Sequence, residues 1–148
     1  VGLIYLDILS PSENLKSQIS NLKSGETNLF SVIYLLTYGQ FSAFLPGDAP
    51  PEVLDSLVAK QSVRLVNYIK IPHHGSVNGL TENLLKVLVP TNLPAGRQAA
   101  VISVGKNSWN FPRPEILEML GRYGVKTLRT DVIGNIEVIT DGTMFWVK

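Results

Sequence analysis

A layered α/β fold with a mixed sheet follows from three features of the sequence. Apolar runs of strand length alternate with stretches whose apolar residues recur at helical spacing. Two turn signals, Tyr38-Gly39-Gln40 and Asp141-Gly142, each join a pair of apolar runs as an antiparallel hairpin. The composition is that of a folded chain: of 148 residues, 45% are hydrophobic and 17% charged, which suits one domain with a real core and excludes disorder.

Leu3–Leu9 reads as the first strand, closed by Ser10-Pro11-Ser12. Asn14–Ser24 is polar with scattered apolar residues and is compatible with a short helix or a loop; Gly25–Asn28 is a turn. Phe30–Leu36 is a near-continuous apolar run, the pattern of a strand buried on both faces, and Phe41–Leu45 is its hairpin return. Pro51 suits the first turn of a helix that runs to about Lys60 with Val53, Leu54, Leu57 and Val58 on one face. Leu65–Ile71 alternates as a strand, and Pro72 ends it because proline cannot donate to a ladder. Thr81 is placed to cap a helix carrying Leu84, Leu85, Val87 and Leu88, which Pro90 stops. Thr91–Gln98 reads as an exposed loop, Ala99–Val104 as a buried strand, and Gly105–Asn110 as a polar loop leaving it. Pro114–Tyr123 is a helix striped by Ile116, Leu117, Leu120 and Tyr123, and Gly124 supplies a left-handed cap. Val125–Thr130 is the next strand, Asp131 and Gly134 frame a turn, and Ile136–Thr140 pairs with Thr143–Val147.

The only two histidines, His73 and His74, stand side by side where the Leu65–Ile71 strand ends. Polar, metal-competent groups at the end of a buried strand are where α/β folds place chemistry. In an adjacent pair, one ring can bind a metal through a nitrogen while the other meets substrate or a second metal. Gly75 permits a sharp turn, and Ser76 can cap it or bind an anion. A solvated polar loop is the plain alternative. Asp48 follows Gly47 just past another strand, where its carboxylate is either a hard metal ligand or the start of an Asx turn. Lys106 and Asn107 either hold a phosphate or face water.

Several classes are excluded. Cysteine is absent, which removes disulfides, thiolate nucleophiles and cysteine-type zinc sites and leaves the compartment undetermined. No apolar run approaches the ~20 residues of a membrane span. A net charge of +1 is too mild to argue nucleic-acid binding from charge alone. Ser76 lies in no Gly-x-Ser-x-Gly elbow, so a serine hydrolase is disfavoured.

Four pieces in order carry a resemblance: Phe44-Leu45-Pro46-Gly47-Asp48, Ile69-Lys70-Ile71-Pro72-His73-His74-Gly75-Ser76, Val101-Ile102-Ser103-Val104-Gly105-Lys106-Asn107, and Arg129-Thr130-Asp131. Together they resemble the metallo-β-lactamase-like domain at the C-terminal end of ComEC-type DNA-uptake proteins. The resemblance covers almost the whole chain but only the later part of that domain. It implies an αββα sandwich with a metal site on its rim. It implies Asp48 and His73 as metal ligands, with His74 beside them as a supporting or substrate group in the catalytic centre. Ser76, Lys106, Asn107, Arg113 and Asp131 are then the substrate-binding candidates. The implied cofactor is Zn or Mn, two ions in a complete domain, and the implied reaction is hydrolysis of a phosphodiester such as DNA by metal-activated hydroxide.

The sequence also departs from the family. Its first metal-binding run, His-x-His/Asp-x-Asp-His, is absent, and Asp48 with one or two histidines is too few ligands for a dinuclear site. The chain opens at Val1 inside a strand-like run, so the expectation is a single, truncated domain (1–148) whose N-terminal half lies upstream, inactive in isolation. Where the family often has histidines, this chain reads Asn110-Phe111-Pro112-Arg113-Pro114. Residues 91–98 are expected as a surface insertion. The alternative function is a non-catalytic remnant or binding domain that retains the fold. The resembled family is membrane-anchored, whereas this sequence carries no span.

Overall fold

The computed structural model describes residues 2–11, 27–89 and 98–148. The expectations for Asn14–Ser24 and for the stretch 90–97 lie outside these residues.

Six strands form one sheet in sequence order: β1 (Ile4–Ser10), β2 (Ile33–Tyr38), β3 (Phe41–Leu45), β4 (Tyr68–Lys70), β5 (Ala99–Ile102) and β6 (Lys126–Arg129). β1, β2 and β3 pair antiparallel, and β3 through β6 pair parallel. Parallel neighbours cannot be joined by a tight turn and require a crossover. Each crossover carries a helix: α1 (Pro51–Ala59), α2 (Glu82–Leu88) and α3 (Pro114–Arg122). A single turn, α4 (Thr130–Ile133), and a separate hairpin, β7 (Val138–Thr140) with β8 (Phe145–Val147), complete the described fold. The fold is therefore mixed α/β, as the sequence pattern requires.

Strand alternation sorts the sheet into two faces. Leu35, Phe44, Ile69, Ala100 and Ile102 point to one side and are sealed by Leu54 and Leu57 of α1, Leu84, Leu85 and Leu88 of α2, and Ile116 and Leu120 of α3. The β7–β8 hairpin meets the other side, where Phe145 packs on Phe41 with ring centroids 5.5 Å apart. Its turn touches the β2–β3 turn. Gln40 N–H donates to the Gly142 carbonyl at 2.6 Å, and a side chain at Gly39 (φ +58°) would collide with that carbonyl. Beyond the hairpin this face is open among the described residues: Ile4, Leu6 and Ile8 are each more than half exposed.

Local signals act as expected at the helix ends. The Thr81 hydroxyl accepts from Leu84 N–H at 3.1 Å and donates to Asp55 at 2.6 Å. Gly124 takes a left-handed φ of +65° behind α3.

Three expectations need correction. The Phe30–Leu36 run is not a strand buried on both faces: Thr27–Phe30 is a 3-10 turn, β2 starts at Ile33, and only Ile33 and Leu35 are buried. Among the described residues helices cover just one face, and Tyr34 and Leu36 on the other remain half-buried. Gln98 does not belong to an exposed loop. It is buried, and its amide donates to the carbonyls of Val66 (2.8 Å) and Leu88 (2.9 Å), tying β5 to the start of β4 and the end of α2. The turn framed by Asp131 and Gly134 is a helical turn that begins at Thr130, a residue expected to be strand.

Candidate functional site

Three parallel strands end on the same side of the sheet, and the polar residues of interest follow those ends. Asp48 follows β3, the histidines follow β4, and Lys106 and Asn107 follow β5. They converge on one cleft of about 510 Å³, lined by Asp48, His73, His74, Lys106, Trp109 and Phe111 among others. The expected meeting of Asp48, His73 and His74 at one rim is thus what the fold produces.

The local backbone decides how the two imidazoles enter. His73 (φ 47°, ψ 43°), His74 (φ 55°, ψ 21°) and Gly75 (φ +82°) are three consecutive left-handed residues. A non-glycine residue holds that conformation at a cost of about 1–3 kcal/mol and needs surrounding structure to fix it. His73 N–H donates to Gly47 carbonyl (3.2 Å), Ser76 N–H to His73 carbonyl (2.9 Å) and Arg113 N–H to Gly75 carbonyl (2.9 Å). Gly75 lies so close to Pro112 that a methyl group there would sit 2.6 Å from the Pro112 Cβ.

This turn sends the His74 ring toward Asp48. Its Nδ1 lies 2.6 Å from the Ser103 carbonyl. A carbonyl only accepts, so Nδ1 carries the proton and Nε2 of the neutral ring keeps its lone pair. That Nε2 stands 3.6 Å from Asp48 Oδ2, with both side chains roughly two-fifths exposed. A separation of 3.6 Å is too long for a good hydrogen bond. It does match two ligands of one divalent cation: donors at 2.0–2.2 Å from a tetrahedral centre lie about 3.3–3.6 Å apart. Metal-binding histidines characteristically donate their second N–H to a carbonyl in this way. The donor set therefore fits a metal through Asp48 and His74. The ring of His73, the residue expected to be the ligand, packs T-shaped against Phe111 (centroids 6.1 Å apart, planes at 71°), and its Nδ1 is buried without a hydrogen-bond partner. Among the described residues no group of three or more His, Asp or Glu side chains forms a metal cluster.

The other candidates divide. Lys106 is exposed on the cleft wall. The Asn107 amide is consumed by its own loop: Oδ1 accepts from the N–H of Trp109 (3.1 Å) and Phe111 (2.9 Å), and Nδ2 donates to the carbonyls of Gly105 and Phe111 (both 2.9 Å). Ser76 is buried, and its Oγ accepts from Asn78 N–H at 3.1 Å. Arg113 has a buried Nε without a hydrogen-bond partner, and Glu115 lies 3.9 Å from it. Asp131 is held by Arg129 at 3.0 and 2.6 Å, and that hydrogen-bonded pair lowers the Asp131 pKa while raising that of Arg129. Lys70, at the end of β4, has its pKa lowered by burial, an effect the Asp48 charge partly offsets. Sequence reasoning missed Trp109 and Phe111 as cleft residues. Their signal was two aromatic side chains inside an otherwise polar loop.

No protein-family model matches the chain. Over 136 residues it is 29% identical to Recombination protein 2 of Haemophilus influenzae, an alignment covering 91% of this chain and 15% of that protein. Over 111 residues it is 29% identical to ComE operon protein 3 of Bacillus subtilis, covering 74% of this chain and 13% of that protein. The chain thus spans less than one-sixth of the length of either relative. No helix among the described residues is long and apolar enough to cross a membrane.

Proposed function

We propose that this chain is the later part of a metal-dependent hydrolase domain of the metallo-β-lactamase type, acting on the phosphodiester bonds of DNA within a DNA-uptake protein. The observation that carries this reading is the His74–Asp48 pair: a carboxylate oxygen and an imidazole lone pair 3.6 Å apart at the ends of parallel strands, with the far side of the ring tied to Ser103. The similarity to ComE operon protein 3 and Recombination protein 2 supports the link to DNA uptake and recombination.

Asp48 and His74 would hold the ion, Zn or Mn. A bound ion of this kind lowers the pKa of a coordinated water toward ~7 and so supplies a nucleophile at neutral pH. The chain's own contribution is positional. The Ser103 carbonyl fixes the His74 tautomer, the left-handed turn aims the ring, and Lys106 offers a cation to a phosphate oxygen. Two donors are fewer than the three protein ligands usual in catalytic zinc sites, so the remaining ligands would come from residues outside those described.

Calorimetric titration of the isolated chain with Zn or Mn should give weak binding that Asp48→Ala or His74→Ala removes, with negligible phosphodiesterase activity. In a longer chain carrying the full complement of ligands, both substitutions should abolish turnover. Unchanged activity in those variants would sink the hydrolase reading. The presence of only two clustered donors favours a second reading, a binding domain that keeps the fold without the chemistry. It predicts no metal affinity at all.

A further inference from the structure

Trp109 is 68% exposed, yet it does not stand on a loose loop. Four hydrogen bonds from the Asn107 amide cross-brace residues 105–111 from within. The Trp109 ring lies nearly parallel to Phe111, with planes 22° apart and centroids 6.2 Å apart, and Phe111 and His73 form a T-shaped pair. A run of rings, Trp109, Phe111 and His73, thus lines the cleft that also holds Asp48, His74 and Lys106. An indole left in water on a braced loop contributes little to a core. Its backbone is fixed in advance, which suits capture of a flat partner. A flat ring beside a cation, next to a site suited to phosphate, matches the parts of one nucleotide in a strand.

We propose that Trp109 is a stacking platform for a nucleobase of single-stranded nucleic acid, with the adjoining phosphate passing Lys106 toward Asp48 and His74. The proposal rests on the phosphodiester reading above and deepens it to a substrate form. Bases of a duplex are already stacked on both faces and offer nothing to a lone indole. An exposed aromatic with a neighbouring cation is how sequence-tolerant single-strand binders work. A chain of net charge +1 also lacks the broad positive field that would hold a duplex by its backbone.

The test is binding, not turnover. A short fluorescein-labelled homothymidine oligonucleotide is titrated with the 148-residue chain in EDTA, and anisotropy is read. Trp109→Ala should weaken binding roughly tenfold, in line with the cost of losing one base–aromatic stack. Trp109→Phe should retain most of the affinity, and Trp146→Phe, on the distant hairpin, all of it. In the Trp146→Phe background, where Trp109 is the remaining indole, the oligonucleotide should quench the intrinsic fluorescence. Lys106→Ala should weaken binding and reduce the salt slope by about one. Equal binding by wild type and Trp109→Ala overturns the proposal, as does duplex DNA competing as well as the single strand. Because no metal is present, failure of Asp48 and His74 to bind a cation would overturn the hydrolase reading and leave this result standing.

Discussion

Gly75 is the residue on which the site turns. It closes a run of three left-handed residues and abuts Pro112, which brings the β4 end and the start of α3 together. Gly75→Ala should therefore add backbone strain and force Pro112 away, lowering unfolding free energy by roughly 2–4 kcal/mol. A urea denaturation midpoint within error of wild type would show that the turn relaxes freely. The same turn explains why sequence alone does not say which imidazole stands beside Asp48. Adjacency and the order of the family motif point to His73 as the ligand. Which ring reaches the carboxylate depends on backbone torsions that neither histidine advertises, since non-glycine residues seldom adopt them.

At the scale of elements, caps and turns speak through single residues. Thr81 both caps α2 and reaches Asp55 on α1, so Thr81→Ala should cost about 1 kcal/mol and slightly loosen the contact between the two helices. Comparison of urea midpoints with Glu82→Ala, an exposed neighbour, checks it; an equal effect would mean the cap is idle. Such signals made most elements legible: the β2–β3 and β7–β8 hairpins, the one-sided helices, the glycine behind α3. What could not be read depended on partners remote in sequence. Phe30–Leu36 has the composition of a strand covered twice, but coverage is set by where the helices fall, and α1, α2 and α3 fall on one face. Gln98 has a polar side chain next to a Pro- and Gly-rich stretch, and only the distant carbonyls of Val66 and Leu88 make its burial favourable. Trp109 was hidden by its polar neighbours, because the cleft it lines with Asp48 and His74 forms only in the folded chain.

For the whole molecule, the open face over β1 and β2 sets solution behaviour. β1 lies at an edge of the sheet and carries Ile4, Leu6 and Ile8 on one side and Tyr5 on the other, all largely exposed, as is Leu3 just before it. An edge strand that is long and apolar invites pairing with another chain. The isolated chain should associate as concentration rises, and Ile4→Lys with Leu6→Lys should shift it toward monomer in sedimentation velocity. A wild-type chain that stays monomeric at high concentration would count against this. The change from antiparallel to parallel pairing at β3 has a further, kinetic consequence. β2 and β3 meet through a tight turn, while β4 reaches β3 only after the α1 crossover has closed. Asp48 and His74 come from opposite sides of that crossover, so the pair exists only once the slower, parallel half has docked. An ion bridging them would act as a latch on a finished molecule: it would retard escape from the native state and leave the forward rate of collapse untouched.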